Sequence, residues 1–129
     1  MMSATILAFS TIIAASFAAS TYTTQYDNID LDEILNNERV YIKYFNCLIG
    51  KDQCTPDGKE LKETLPDALK TECSKCTEKQ KAGAEKVLRF VIENRPDDYK
   101  QVEAIYDPEG IYRQKFGAEA KEKGIELPK

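Results

Sequence analysis

The sequence predicts a single all-α domain of about six short helices. Apolar residues recur at the 3.6-residue spacing of amphipathic helices, most clearly at Ala84, Val87, Leu88, Val91 and Ile92. No segment shows convincing two-residue strand alternation. The composition, 42% hydrophobic and 31% charged with six glycines and five prolines in 129 residues, is that of a globular helical chain.

The chain opens on a different segment. All the formal charge lies beyond residue 20, and Ile6 to Ala19 is an apolar run ending near the small residues Ala18, Ala19 and Ser20. This pattern reads as a secretory signal peptide, residues 1–20, cleaved to leave residues 21–129 as one domain. The run is shorter than a membrane span and is interrupted by Ser10, Thr11 and Ser16. Export implies an oxidising compartment in which Cys47, Cys54, Cys73 and Cys76 pair.

The elements follow in order. Asp30, with Glu33 three residues on, starts a short first helix carrying Leu31, Ile34 and Leu35. Asn37 caps a second helix with Val40, Tyr41, Tyr44, Phe45 and Leu48 on a broad apolar face, and Gly50 closes it. Thr55 before Pro56 starts a third helix with Leu61, Leu65, Ala68 and Leu69, and Pro66 inside it predicts a kink. Thr77 and Gln80 read as a capping box for the fourth helix, which Arg95 before Pro96 ends. Pro96 starts a fifth helix with Tyr99, Val102, Ile105 and Tyr106. Asp107-Pro108 is expected to start a sixth, with Ile111, Tyr112 and Phe116. Gly83 between two alanines permits close helix approach.

The cysteines are spaced C-x6-C-x18-C-x2-C, which allows three pairings. Two local loops fit the helix boundaries better than crossed pairs, because each lands on a junction. Zinc prefers shorter spacing on both sides, and a redox C-x-x-C expects a βαβ context that is missing here.

Function classes narrow by composition. A net charge of −4 offers no basic footprint for nucleic acid. With no histidine the commonest general base is missing. Ser74, the one serine after residue 20, lies between two cysteines. Asp27, Asp30, Asp32 and Glu33 lack calcium-loop spacing, and the last three suit a helix N-terminus. Lys79, Lys81, Lys86 and Arg89 read as a solvated helix face. No catalytic residue, metal or cofactor is expected.

The cysteine spacing, together with Tyr26-Asp27-Asn28-Ile29-Asp30, Asn46-Cys47, Gly58-Lys59-Glu60-Leu61-Lys62, Cys73-Ser74-Lys75-Cys76-Thr77 and Tyr106-Asp107-Pro108, resembles the insect chemosensory proteins, also called the OS-D or pheromone-binding A10 family. The similarity runs from about Tyr22 to Leu127. The resemblance implies the bridges Cys47–Cys54 and Cys73–Cys76 and a compact helical bundle around a hydrophobic channel. Matching channel positions on the first three helices and the segment before them are Tyr26, Ile34, Tyr44 and Leu61, with Leu65 added on the same helix. Later in the chain they are Gln80, Ala84, Val87, Tyr99 and Tyr106, with Val91 added on the same stripe. Tyrosine stands at 99 and 112, where family members often carry tryptophan, which adds a hydroxyl and removes ring area.

The implied role is a secreted carrier for small hydrophobic molecules such as fatty acids, alcohols or esters, monomeric and without a membrane anchor. The alternative is an extracellular interaction protein with a packed core, acting in development or tissue repair. All seven tyrosines lie beyond residue 20, against three phenylalanines. Buried phenols need hydrogen-bond partners, so tyrosine-rich apolar faces suit a cavity with a wet mouth. The stripe around Val87 is equally compatible with a closed core.

Overall fold

A computed structural model describes residues 21–129. The expected signal segment, 1–20, lies outside the described residues. Six helices follow one another: α1 (Leu31–Asn36), α2 (Glu38–Leu48), α3 (Pro56–Thr71), α4 (Glu78–Asn94), α5 (Pro96–Tyr106) and α6 (Ile111–Glu122). No strand occurs among the described residues.

The starts of α1 to α4 are written in side chains. Asp30, Asn37 and Thr55 accept from the backbone N–H groups of Glu33, Val40 and Gly58. Thr77 and Gln80 form the reciprocal capping box at α4. Pro96 opens α5, its missing N–H costing nothing at a first-turn position.

The expected start of α6 is corrected. Asp107 follows α5 as its C-cap, and α6 begins at Ile111 behind Gly110, whose φ is 71°. The Asp107 carboxylate still satisfies the new helix, accepting from the backbone of Tyr112 at 3.1 Å and Arg113 at 2.8 Å. The cap acts across a turn, a separation that local cap spacing does not reveal. Helix α3 continues through Pro66 as one element.

Two helices end on a left-handed glycine in the same way. After α2, Gly50 at φ 81° lets Lys51 N–H reach Asn46 O at 2.8 Å and its own N–H reach Cys47 O at 3.1 Å. After α6, Gly124 at φ 77° lets Ile125 N–H reach Ala120 O at 2.8 Å. Both are Schellman closures. In the second, the apolar contact that accompanies the motif joins Ala120 and Ile125, two members of the core.

Helix α1 packs on α2 and α4, α2 on α3, and α4 on α5. A Cβ on Gly83 would stand 3.0 Å from Leu31 Cδ1, so this glycine sets the α1–α4 approach. The buried core gathers Ile92, Ala120 and Ile125, with Tyr99 and Leu127 packed against it. Leu35, Tyr41 and Cys47 are buried elsewhere. The bridges are Cys47–Cys54 and Cys73–Cys76, and no free cysteine remains among the described residues.

Candidate functional site

Helices α3 and α4 carry the strongest apolar patterning after α2, yet neither buries its apolar face. Leu61 is 44% exposed and Leu88 41%. Ala84 is exposed, while Leu65, Ala68, Leu69, Val87 and Val91 are half-buried. Only Ile92 of the α4 stripe is buried. A closed core at this spacing would cover all of these side chains.

The remaining candidate residues are spread over the fold. Ile34 is half-buried on α1, and Tyr26 is half-buried in the segment before it. Gln80 is occupied structurally: its carbonyl oxygen accepts from Thr77 N–H at 3.0 Å. Its amide donates to Thr23 O at 2.8 Å and to Asp27 at 2.9 Å. Together with Tyr22, which donates to Asp67 at 2.6 Å and from its backbone to Lys75 O at 3.0 Å, it straps the chain before α1 onto the α3–α4 junction.

Five of the seven tyrosine hydroxyls are tied to protein acceptors rather than left at a cavity mouth. Tyr41 donates to Asp98 at 2.8 Å, Tyr44 to Asp57, Tyr99 to Glu103 at 3.1 Å and Tyr106 to Leu48 O at 2.8 Å. Arg95 lies 4.7 Å over the Tyr41 ring, a cation–π contact beside the α4–α5 corner. Burial pushes Tyr44 up to about 12, and the Asp57 hydrogen bond adds to the rise. Burial raises Tyr41 and Tyr99 further, again beside a carboxylate. Burial works to raise Asp57, but hydrogen bonds from Thr55 and Tyr44 outweigh it and hold the carboxyl below its usual value. These pairs explain why the chain uses tyrosine where phenylalanine would fill a core: each ring packs while the hydroxyls of Tyr41, Tyr44 and Tyr106 fasten two segments and that of Tyr99 bonds within α5.

Tyr44 also lines a cleft of about 440 Å³ between α2 and the bridged loop, with Val40, Lys43, Gln53 and Thr55. Sequence reasoning missed this cleft, because its walls come from a loop whose path depends on the Cys47–Cys54 bridge. Gly58 is buried under the same ring, where a Cβ would stand 3.2 Å from Cys47 Sγ and 3.6 Å from Tyr44 Cδ1.

Comparison with known proteins gives the geometry a context. A family model described as the insect pheromone-binding family A10/OS-D matches residues 22–114. The chain is similar to ejaculatory bulb-specific protein 3 of Drosophila melanogaster, 54% identical over 110 residues that cover 85% of this chain and 87% of that protein. Among solved structures it is similar to a chemosensory protein in complex with bromo-dodecanol, with a TM-score of 0.72 and 46% identity over 78% of this chain and 100% of that one. It is also similar to antennal chemosensory protein A6 of the moth Mamestra brassicae, with a TM-score of 0.68 and 46% identity over 84% of this chain and 100% of that one.

Proposed function

Because the chain belongs to the insect pheromone-binding family A10/OS-D, we propose that it is a secreted carrier of small hydrophobic molecules, held against the incompletely covered apolar faces of α3 and α4. The observation that carries this reading is the exposure of Leu61, Ala84 and Leu88 on helices whose patterning demands burial. Apolar faces left open in this way mark a place for another apolar surface. A long-chain alcohol, fatty acid or ester supplies one. The similar protein solved with bromo-dodecanol supports the ligand class.

The mechanism is desolvation. Each methylene that leaves water for the interior contributes about 0.8 kcal/mol. A ten-carbon chain thus gains about 8 kcal/mol, from which association subtracts about 4 kcal/mol or more, so micromolar binding needs a longer chain or a head-group contact as well. The Tyr26 hydroxyl is the head-group contact of this reading, since both amide donors of Gln80 are occupied by the strap. Residues 1–20 act as the export signal and are removed. Among the described residues no helix is long and apolar enough to cross a membrane.

The test is displacement of a fluorescent apolar probe from the protein by a series of long-chain alcohols. Competition that tightens with chain length is the expected outcome. A protein that binds neither probe nor alcohol, but retains a partner protein from the tissue extract, would favour the interaction reading instead.

A further inference from the structure

Segment 124–129 leaves α6 and turns back onto the bundle. Gly124 makes the turn, and Ile125 is only 3% exposed, sharing a buried cluster with Ile92 and Ala120. Leu127 and Tyr99 pack against that cluster. A clamp holds the segment in place. The Arg113 guanidinium donates to both carboxylate oxygens of Glu103, at 2.9 and 3.0 Å, and through its other nitrogen to the Pro128 carbonyl. Glu103 also accepts from Tyr99 at 3.1 Å. Farther up α4, Arg89 donates to Lys123 O at 3.0 Å.

The placement matters because of what the segment adjoins. Ile92 follows Val91 on α4, and Leu88 lies one turn before Ile92 at the exposed margin of the same stripe. The segment thus covers the part of α4 and α5 that borders the open apolar face. Its own apolar side chains occupy surface that a longer ligand would otherwise reach.

We propose that segment 124–129 is a specificity element, a wall of the ligand space in which Leu127 limits the length of chain the protein accepts and the Arg113–Glu103 clamp keeps that wall closed. The inference rests on the carrier reading and adds the feature that sets chain length within it.

The experiment uses residues 21–129 with both bridges intact and titrates straight-chain alcohols of increasing length against a bound fluorescent probe. The variants are Leu127→Ala, Leu127→Met and Arg113→Gln. Leu127→Ala is expected to move the tightest-binding alcohol to a longer chain, by about fourfold in affinity for each methylene newly buried. Leu127→Met keeps the volume and the original optimum. Arg113→Gln frees the segment, which shifts the optimum in the same direction and speeds amide exchange at Ile125 and Leu127. Circular dichroism checks that helix content is retained.

An unchanged length optimum in Leu127→Ala and Arg113→Gln, with wild-type binding intact, overturns the proposal while leaving the carrier reading standing. Should the wild-type chain bind no alcohol at all, both readings fall.

Discussion

At the scale of single residues, the tyrosine–carboxylate pairs are the most informative feature. Five of the seven tyrosine hydroxyls donate to protein acceptors, four of them to carboxylates. The pH dependence of stability follows from their direction of shift. Tyr44 is raised from 10.0 to about 12, so between those values the native state holds a proton that the unfolded state has lost. The stabilisation is whole below pH 10 and declines as pH rises toward 12. On the acid side, the Tyr22 hydrogen bond and Lys75 hold Asp67 below 3.8, and Asp57 is lowered as well. Their contribution is whole above pH 3.8 and is lost as pH falls below it. Thermal midpoints measured from pH 3 to pH 12 are thus expected to form a plateau with two shoulders. In Tyr44→Phe the alkaline shoulder becomes shallower, because the phenol that titrates late is gone. An unaltered alkaline limb in this variant would remove Tyr44 from the explanation.

At the scale of elements, helix ends decide most of the local energetics. Helix α3 closes like α2 and α6, with Cys73 N–H reaching Ala68 O at 2.8 Å, but Glu72 stands at φ 57° where the others have glycine. Cys73 follows at φ 61°. A left-handed residue with a Cβ costs about 1–2 kcal/mol relative to glycine. Glu72→Gly is expected to raise stability by about 0.5–1 kcal/mol, some of the relief being offset by the entropy of an unfolded glycine. Urea unfolding reads the change. Gly50→Ala, at φ 81°, is the converse and should destabilise by a similar amount.

The bridges belong to this scale too. They close loops with sequence separations of 7 and 3. By chain entropy such short loops stabilise by about 2–2.5 kcal/mol each. A Cys73→Ser, Cys76→Ser double variant should therefore lose about 2 kcal/mol in chemical denaturation and still fold. A titration of the untreated protein with a thiol reagent is expected to find no free thiol. Complete unfolding of the double variant would mean that the bridge does more than restrain the chain.

At the scale of the whole molecule, the question is whether the open apolar faces form a ligand space or a poorly filled core. Val87→Trp and Leu88→Trp separate the two. A large ring forced into a packed interior costs about 1–3 kcal/mol or more. Val87 is half-buried and Leu88 is exposed, so both variants are expected to keep their thermal midpoint within a few degrees. Val87→Trp should lose most of its affinity for apolar probes, because the indole takes space the ligand needs. If Val87→Trp unfolds the chain instead, the stripe is core and the carrier reading loses its physical support.

Much of this molecule was legible in the sequence because the signals are local. Asp30, Asn37, Thr55 and the Thr77–Gln80 pair each act within three residues, so the starts of α1 to α4 follow from their order in the chain. The bridges join neighbours in sequence, and junction geometry together with the family resemblance pointed to them. The start of α6 is not legible locally, because Asp107 acts across Gly110 from the far side of a turn. The periodicity of α4 marked its apolar residues but not which would be covered. Ile92 is buried and Leu88, of the same stripe, is exposed, a distinction that depends on where α6 and segment 124–129 come to rest. The spacing of Gln80 from Thr77 marks it as a cap, but only the fold brings Thr23 and Asp27 to its amide. Hydrogen-bond periodicity and capping are properties of a few consecutive residues and are set by sequence alone. Which apolar faces meet, and which stay open for a ligand, depends on contacts between residues far apart in the chain, and only the tertiary structure decides them.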